Sequence, residues 1–416
     1  MLGARVAESR PAIRRYRIAV LNSHPIQYFA PLYRRLAQEE EIDLTVYYCS
    51  RIGVDGYEDT NGFGQAIKWD VPLLDGYKHC FLRNLGRRDD VSRFGSLINP
   101  GIVTELLRNR YDALWLHSYS YVTHLLSVVA GRLAGTPILF RTESSLTFDS
   151  LVHRSLAVRA IKPIFLRLLF KQVAAFLAIG TLNRQFFEHY GARPERIFHV
   201  PYSVDNDYFM RSVSEARRRR AELRAELGFC EDDIVFLFAA KMTGHKAPLE
   251  LLRAYEKVRA PRKALLMAGN GAVRSEAEAY VRDHRLERVR FLGFVNQSQL
   301  PLVYSVSDVF VRPDGITRGD WGLTVNEAMA SGLALVSSDR IGATVDLVRD
   351  GENGFVWRFG DLDDLARAME HMAADVGACR RMGQRSQEII STWSYEECVR
   401  GVLAALHSLP DPGSRP

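Results

Sequence analysis

Short apolar runs alternate with segments of helical spacing along most of the chain. The segment YRIAVLNS (16–23) is an apolar run that ends in polar residues, APLYRRLAQ (30–38) has apolar residues at helical spacing, and DLTVYYCS (43–50) is a second apolar run. Parallel strands are buried on both faces and are connected by helices, so this alternation is typical of a parallel sheet covered by helices. The pattern therefore predicts an α/β protein.

Three further apolar runs in the first half of the chain end in polar residues. They are YDALWLHS (111–118), TPILFRTE (136–143) and AAFLAIGT (174–181). In an open parallel sheet the ligand lies beyond the carboxyl ends of the strands. We therefore expect a ligand site lined by polar residues at the strand ends, namely His24, His117, Glu143 and Thr181.

A second alternating series begins at residue 233, with the runs DIVFLFAA, KALLMAGN, VRFLGFV, VFVRPDG and LALVSSD. Between the two series, RSVSEARRRRAELRAELGF (211–229) is strongly charged and has few apolar positions, which predicts a surface helix or linker. Two series favour two domains, as does the length of 416 residues, since single cores rarely grow beyond about 300 residues. The segment TWSYEECVRGVLAALHSL (392–409) predicts a final amphipathic helix, followed by a disordered end.

The composition is that of an ordinary globular protein, with 47% hydrophobic and 25% charged residues. Five cysteines are dispersed without a C-x-x-C pair, which predicts a reduced, cytoplasmic protein. No apolar run reaches the roughly 18 residues that a membrane span requires, and the first residues lack the apolar core of a signal peptide. The formal net charge of +6 favours an anionic partner, such as a nucleotide, an acidic lipid or a nucleic acid.

The segment GDWGLTVNEAMASG (319–332) combines a glycine-rich turn with a short helix that Gly332 ends. A helix that begins directly after a glycine presents free backbone N–H groups and the positive end of its dipole, which suits a phosphate group. Glu327 lies about one turn inside this helix, where its carboxylate can accept hydrogen bonds from ribose hydroxyls. The alternative is a solvated acid favoured by the helix dipole, and the pattern leaves both open.

Two lysines flank the turn after the first strand of the second series. In AAKMTGHKAPLELL (239–252), Lys241 closes the strand and Lys246 precedes the next helix. Both ammonium groups can converge on one pyrophosphate beyond the strand end. Without such a ligand they are ordinary loop lysines, which are more common.

These segments together resemble the retaining glycosyltransferases of family 4. The matching pieces are KMTGHK (241–246), LLMAGNG (265–271), FLGFV (291–295) and the block of residues 319–356. Similar first-domain pieces extend the resemblance to nearly all of residues 17–406. The resemblance implies the GT-B fold, in which two Rossmann-like domains with parallel sheets face each other across a deep cleft and a C-terminal helix returns to the first domain.

The same resemblance divides the chain into four parts. These are a flexible N-terminal lead (1–16), an acceptor-side domain (17–207), a nucleotide-sugar domain (208–390) and the returning helix (391–410).

The resemblance also implies roles for individual residues. Lys241 and Lys246 would neutralise the donor diphosphate, and His117 would lie over the transferred sugar near the reacting centre. Without the resemblance, His117 is better explained as a hydrogen-bonded histidine at a strand end. The implied donor-binding residues are Gly293, Phe294 and Val295 at the base, Gly322, Leu323 and Thr324 at the phosphate and sugar, and Glu327 at the ribose.

The chain departs from the family at one position. The family motif has two glutamates separated by seven residues, and Gly319 occupies the first of these positions here. Asp320, one position further on, is then a candidate catalytic residue that contacts the donor sugar, or the sugar is held differently. The identity of the donor sugar therefore stays open.

Candidate acceptor-side residues lie at two strand ends of the first domain. The segment at residues 24–28 replaces the glycine-rich loop of many relatives, and its His24 and Gln27 offer hydrogen-bond donors and acceptors at the cleft. A turn histidine without a role is the alternative. Arg141 and Glu143 end another strand and suit either acceptor hydroxyls or a pairing with each other.

The stretch HRSLAVRAIKPIFLRLLFKQ (153–172) has five Lys or Arg residues, no acidic residue and several interleaved apolar residues. This pattern predicts either peripheral contact with an anionic membrane or an ordinary helix that packs on the sheet with its basic side in water. Pro163 should interrupt this helix or mark its start.

The sequence thus favours a glycosyltransferase that moves a sugar from a nucleotide diphosphate donor, UDP rather than GDP, to a hydroxyl acceptor with retained anomeric configuration. We expect no cofactor, no metal and no nucleic-acid partner, because the departing phosphate oxygen can itself take the acceptor proton. Two alternatives remain: a nucleotide-sugar-binding protein with little turnover, which the missing acid at Gly319 makes credible, and a nucleotide-sugar epimerase of the same fold. A dinucleotide-dependent oxidoreductase is excluded, because LNSHPIQY after the first strand lacks glycine.

Overall fold

The computed structural model describes residues 14–59, 62–86, 90–147, 156–315 and 321–410, apart from the side chains of residues 156 and 157. The described elements form two parallel sheets with helices packed against them. This confirms the predicted α/β class with two parallel sheets. Most of the lead at 1–16 and the final residues 411–416 lie outside the described part, so their predicted flexibility stays a prediction.

The first sheet contains seven parallel strands. They are β1 (Tyr16–Asn22), β2 (Ile42–Tyr48), β5 (Lys78–Phe81), β6 (Ala113–His117), β7 (Ile138–Arg141), β8 (Val173–Ala178) and β9 (Ile197–His199). Their order across the sheet is β5-β2-β1-β6-β7-β8-β9. Successive strands are therefore added on one side of β1 up to β5 and on its other side from β6 onward. At such a switch in strand order a cleft forms at the carboxyl ends of the strands.

The second sheet contains six parallel strands. They are β10 (Ile234–Ala239), β11 (Lys263–Ala268), β12 (Val289–Gly293), β13 (Val309–Arg312), β14 (Ala334–Ser338) and β15 (Gly354–Trp357). Their order is β12-β11-β10-β13-β14-β15, which again places a switch in strand order beside the central strand, between β10 and β13.

The helices connect and cover these strands. In the first half they are α1 (Phe29–Leu36), α2 (Gly101–Arg108), α3 (Val122–Leu133), α4 (Leu156–Phe170) and α5 (Thr181–His189). The remaining ones are α6 (Asn206–Arg217), α7 (Arg220–Glu226), α8 (Pro248–Lys257), α9 (Arg274–Asp283), α10 (Leu300–Val306), α11 (Leu323–Ala330), α12 (Gly342–Leu347), α13 (Leu362–Ala374), α14 (Val376–Ile390) and α15 (Tyr395–His407). Short 3₁₀ turns occur at Pro194–Arg196 and Gly244–Lys246.

Each apolar run singled out in the sequence contains or overlaps one of these strands, because only a continuous run can fill both faces of a covered sheet. The runs did not predict β5, β9, β15 or the antiparallel hairpin of β3 (Tyr57–Glu58) and β4 (Ala66–Ile67). The edge strand β5 shows why, since Lys78, His79 and Cys80 are exposed and form no apolar run.

The charged segment at 211–229 is more than the predicted surface helix. It belongs to two helices, α6 and α7, and the side chain of Arg224 is fully buried. Arg224 forms an ion pair with Asp308 at 2.6 Å and donates to the backbone carbonyls of Val306 and Asp233 at 2.9 Å each. Most of the segment is exposed as predicted, but Arg224 is not, because its partners come from distant segments and a buried charge is tolerated only when it is paired and hydrogen-bonded.

The prediction that Pro163 interrupts or begins a helix is wrong. Helix α4 continues through it from Leu156 to Phe170. Packing of Leu166, Leu169 and Phe170 against the first domain supports the helix despite the lost backbone hydrogen bond. None of the helices in the described part of the chain is long and apolar enough to span a membrane.

The C-terminal helix α15 packs against β8, β9 and α1, which confirms its predicted return to the first domain. An ion pair from Arg35 to Glu396 at 2.5 Å and a hydrogen bond between His407 and Glu41 at 2.8 Å hold it there. The hydroxyl of Tyr395 also donates to the Tyr28 carbonyl at 3.2 Å. The helix thus ties the end of the second half of the chain to the first sheet.

Candidate active site

Two cavities lie at the carboxyl ends of the two sheets. The interdomain cavity, of about 480 Å³, is lined by residues of both domains, with Phe294, Val295, Thr324 and Glu327 on one side and Gln27, Tyr28, Phe63 and Trp69 on the other. The first-domain cavity, of about 570 Å³, lies beside the ends of β6 and β7. The predicted site residues are divided between these two cavities.

Glu327 is fully buried on α11 and borders the interdomain cavity. One carboxylate oxygen accepts from the Tyr304 hydroxyl at 2.8 Å and the other from the Gln297 amide at 3.2 Å. Burial raises the pKa of Glu327, while the hydrogen bonds from Tyr304, Gln297 and Tyr28 oppose the shift. The alternative of a solvated helix acid is therefore wrong.

The start of α11 has the geometry expected of a tight turn into a helix. Gly322, at φ 90°, is the left-handed residue before the helix, and a β-carbon there would lie 3.0 Å from Ile341. Thr324 reaches the interdomain cavity, whereas the partly buried Leu323 packs against the core. Gly332, at φ 73°, ends the helix as predicted. Gly319 and Asp320 lie outside the described residues, so the predicted role of Asp320 stays a prediction.

The two lysines expected to bind diphosphate each contact an aspartate. The Lys241 ammonium lies 2.7 Å from Asp59 of the first domain and 5.1 Å from the centre of the Phe63 ring, which lines the interdomain cavity. The Lys246 ammonium lies 3.1 Å from the buried Asp314. A diphosphate that binds Lys241 would compete with a carboxylate from across the cleft.

A buried Arg312–Asp314 pair was missed in the sequence. Arg312 lies 2.5 Å from Asp314 and donates to the Thr324 hydroxyl at 2.7 Å. Through Asp314 it is connected to Lys246, so one network joins the lysine to the first turn of α11. The signal was present in VFVRPDG, where charged residues follow a buried strand that ends at the cleft.

The hairpin of β3 and β4, with the residues that follow it to Asp70, was also missed. We call residues 57–59 and 62–70 the cleft hairpin. Its Phe63 ring packs edge-on to Phe294 at 4.7 Å, and its Trp69 ring lies 6.3 Å from Phe294. Its Gln65 accepts a hydrogen bond from Asn270 of the second domain at 2.8 Å. Two aromatic residues in the polar stretch NGFGQAIKWD were the available sequence signal.

His117 lies at the end of β6 in the first-domain cavity, and its side chain is largely buried. Its Nε2 is 3.0 Å from the Tyr33 hydroxyl, which accepts from the Asn22 amide at 3.0 Å. We assign the tyrosine proton to the hydrogen bond with Nε2, an assignment that places the imidazole proton on Nδ1. Burial, with the nearby charge of Arg141, lowers the pKa of His117, so the ring is a neutral donor.

The predicted acceptor-side residues do not form one group. Arg141 and Glu143 line the first-domain cavity with His117, and Glu143 accepts a hydrogen bond from Tyr202. Gln27 instead lines the interdomain cavity. His24 contacts the Ser23 hydroxyl at 2.9 Å, and burial lowers its pKa to about 4.

Thr181, expected at the ligand site, instead binds Asp346 of the second domain, through its hydroxyl at 2.5 Å and its backbone N–H at 2.9 Å. Gly293, at φ 75°, ends β12 directly before Phe294. Within the described ranges, no group of three His, Cys, Asp or Glu side chains is placed to hold a metal ion.

Known proteins are similar to this chain in sequence over part of its length and in fold over nearly all of it. Residues 219–389 match the family described as glycosyl transferases group 1. A D-inositol 3-phosphate glycosyltransferase of Nocardia farcinica is 31% identical over 230 residues, covering 53% of this chain and 49% of that protein. A UDP-Gal:alpha-D-GlcNAc-diphosphoundecaprenol alpha-1,3-galactosyltransferase of Escherichia coli is 25% identical over 286 residues, covering 65% of this chain and 68% of that protein. The chain spans about half the length of most of the curated relatives it matches.

The solved structures extend the similarity to the whole fold. HepE of Anabaena, in complex with UDP and glucose, aligns with a TM-score of 0.68 at 17% identity, over 95% of this chain and 100% of that one. A glycosyltransferase of Rickettsia africae aligns with a TM-score of 0.70 at 13% identity, over 94% of this chain and 98% of that one. The predicted GT-B fold is thereby confirmed.

Proposed function

We propose, since residues 219–389 belong to the family of group 1 glycosyl transferases, that the whole chain is a glycosyltransferase that uses a nucleotide diphosphate sugar. The observation that carries this proposal is Glu327, a fully buried carboxylate at the wall of the interdomain cavity whose pKa is raised by burial. A carboxylate with a perturbed pKa beside a cavity is a candidate ligand-binding group, and ribose hydroxyls are donors that suit it.

The donor is proposed to be a UDP-sugar. Phe63 and Trp69 of the cleft hairpin and Phe294 surround the interdomain cavity with flat apolar surfaces on which a base can stack. The Phe294 and Val295 backbone lies at the same end and can bind the base edge. The structural relative HepE was solved with UDP, which supports uridine over guanosine.

In the proposed reaction, the bond from the anomeric carbon to the diphosphate oxygen breaks while a bond from the acceptor oxygen to the same carbon forms on the same face. The acceptor proton passes to the departing phosphate oxygen, so the anomeric configuration is retained. Lys241 and Lys246 neutralise the charge that develops on the diphosphate, and the N–H groups at the start of α11 assist them. The His117 Nδ1–H donates to the transferred sugar. The reaction as proposed uses no metal and no cofactor.

A thermal-shift comparison of nucleotide diphosphates tests the donor. At about 100 times its Kd, UDP should stabilise the protein by about 2.7 kcal/mol and raise Tm by a few degrees, and GDP should do less. Absence of any stabilisation by either nucleotide would contradict the proposed function.

The absent acid at Gly319 keeps a second candidate function, a nucleotide-sugar-binding protein without turnover. The two differ in one measurement, the release of UDP from a bound UDP-sugar over hours. Slow release identifies an enzyme that hydrolyses its donor when no acceptor is present. Tight binding without release favours the binding protein.

We also propose that helix α4 contacts an anionic membrane surface. Ile161, Ile164 and Leu168 are 62%, 61% and 56% exposed, which an ordinary helix packed with only its basic side in water would not show. Arg159, Lys162 and Arg167 lie on the same helix, and the described residues of α4 include no acid. Exposed apolar residues among basic ones match the interface of an anionic bilayer. Residues 153–155 of the predicted basic stretch lie outside the described part.

Sedimentation with vesicles tests this surface. At low salt the protein should bind vesicles that contain phosphatidylserine, and Ile161→Glu with Ile164→Glu should reduce the bound fraction about tenfold or more, because two apolar contacts become repulsive charges. Val345→Glu, at an exposed valine of the second domain, is the control and should bind as the wild type does. Equal binding by all three proteins would place the contact elsewhere.

A further inference from the structure

The first-domain cavity contains a buried guanidinium with few partners. Arg141 is 3% exposed and lines this cavity. Its Nη1 has no hydrogen-bond partner among the described residues, and its other contacts are a long one of 3.4 Å from Nη2 to the Pro201 carbonyl and one with the buried Cys398 thiol. Among the described residues these polar contacts are with a carbonyl and a thiol and the remaining ones are with aromatic rings, so the guanidinium has no carboxylate partner there. A buried cation without a paired anion is costly, and proteins normally avoid it.

Aromatic rings hold this guanidinium in place. It lies 5.0 Å from the centre of the Tyr202 ring, 5.7 Å from Phe29 and 6.0 Å from Trp115. Cation–π contacts compensate part of the burial cost and restrict the side chain. They leave the hydrogen-bonding edge of Nη1 unused, so Arg141 is a positioned donor rather than a mobile surface charge.

Other donors line the same cavity. His117 is opposite Arg141 in the register of β6 and β7, and its Nδ1 carries the proton assigned above. His124 is 1% exposed, and neither ring nitrogen has a hydrogen-bond partner among the described residues. Burial lowers the pKa of His124 to about 3, so its ring is neutral and one nitrogen is a donor. The buried wall thus offers a fixed cation and neutral donors.

The acid that lines this cavity, Glu143, is at its exposed rim. It accepts a hydrogen bond from Tyr202, whose ring also covers Arg141. The cavity is therefore polarised, with a carboxylate outside and a guanidinium inside. A ligand that satisfies both ends has a hydroxyl at the rim and an anionic group at the base.

We propose that the acceptor of the transfer reaction carries an anionic oxygen group, a carboxylate or a phosphate, that Arg141 binds in the first-domain cavity. The hydroxyl that receives the sugar then lies toward Glu143 and His117. This inference rests on the proposed glycosyltransferase function, and it adds a substrate class that the function alone does not specify. The anion would supply the partner that Nη1 lacks, and a charge-assisted hydrogen bond in a poorly solvated site is a strong one.

Calorimetry on the UDP-saturated protein tests the inference, because UDP occupies the lysines that would otherwise bind anions. The probes are glucose, glucuronate, glucose 6-phosphate and inorganic phosphate at millimolar concentrations. We expect at least one charged sugar to bind about tenfold or more tightly than glucose. Preference for glucuronate identifies a carboxylate site, and preference for glucose 6-phosphate or binding of inorganic phosphate identifies a phosphate site.

Variants of Arg141 test whether this residue causes the preference for charged sugars. Arg141→Met should abolish it, Arg141→Lys should restore part of it, and Arg193→Met, at an exposed arginine of the same domain, should leave it unchanged. Arg141→Lys also controls for folding if Arg141→Met is unstable. Equal binding of glucose and both charged sugars, no binding of any probe, or a preference that survives in Arg141→Met would overturn the proposal. Failure of UDP to bind in the same samples would instead contradict the proposed function.

Discussion

Lys246→Ala is expected to weaken UDP binding about tenfold to a hundredfold and to slow the release of UDP from a UDP-sugar about a hundredfold or more. The ammonium neutralises the diphosphate most strongly when it leaves, so the rate should fall more than the affinity. The fold should tolerate the change, because Asp314 keeps its ion pair with Arg312 at 2.5 Å. Calorimetry with UDP and a coupled assay for UDP release measure the two effects.

Two variants control this result. Lys246→Arg keeps the charge and should retain most of the affinity. Lys257→Ala removes a surface lysine whose side chain is 49% exposed and paired with Asp363, and it should have no effect. An unchanged UDP affinity in a folded Lys246→Ala protein would mean that this lysine does not bind the diphosphate.

Glu327→Gln should weaken UDP binding about tenfold or more and reduce the preference for UDP over its 2′- and 3′-deoxyribose analogues. An amide accepts through one oxygen only, and its NH₂ group would face the donors of Tyr304 and Gln297. Competition binding with UDP and the deoxy analogues measures both quantities. If the variant discriminates between them as the wild type does, Glu327 does not bind the ribose.

The same residue predicts a pH dependence. Because burial raises the pKa of Glu327, its carboxylate takes up a proton at a pH above the ordinary value of 4.5. The affinity of the wild type for UDP should therefore fall as the pH is lowered toward the raised pKa. The folded protein also binds this proton more tightly than the unfolded chain, so the contribution of Glu327 to stability is full below 4.5 and is lost as the pH rises through the folded pKa. The difference in Tm between Glu327→Gln and the wild type should therefore shift in favour of the variant as the pH rises.

The interactions of charged residues were the least predictable feature of the sequence. Arg224 lies in a segment so rich in charge that a surface helix was the natural interpretation, yet it is buried against Asp308. Pro163 was expected to end a helix, but packing of one face of α4 outweighs the local cost. In both cases a local preference yields to tertiary contacts that no window of sequence contains.

The candidate site was predicted only in part, because some of its residues are brought together by tertiary contacts that the sequence does not show. The strand-end positions of His117, Arg141 and Glu143 followed from the apolar runs, and these residues do share a cavity. Gln27 was grouped with Arg141 and Glu143 as an acceptor-side residue; it lies at the cleft as expected, but in the interdomain cavity and not beside them. The cleft hairpin was missed because its strands are two residues each and carry no apolar pattern.

The sequence by itself determined the two parallel sheets, the final amphipathic helix and the positions at which polar side chains reach the cleft, whereas the return of that helix to the first domain was implied by the family resemblance. These features depend on periodic burial and on glycine at tight turns, and both are written in local patterns. Only the tertiary structure decided the partners of the charged residues: Asp59 beside Lys241, Tyr304 and Gln297 on Glu327, and aromatic rings around Arg141. The energy of a charge depends on burial and on neighbours brought together by folding, and the order of residues along the chain records neither.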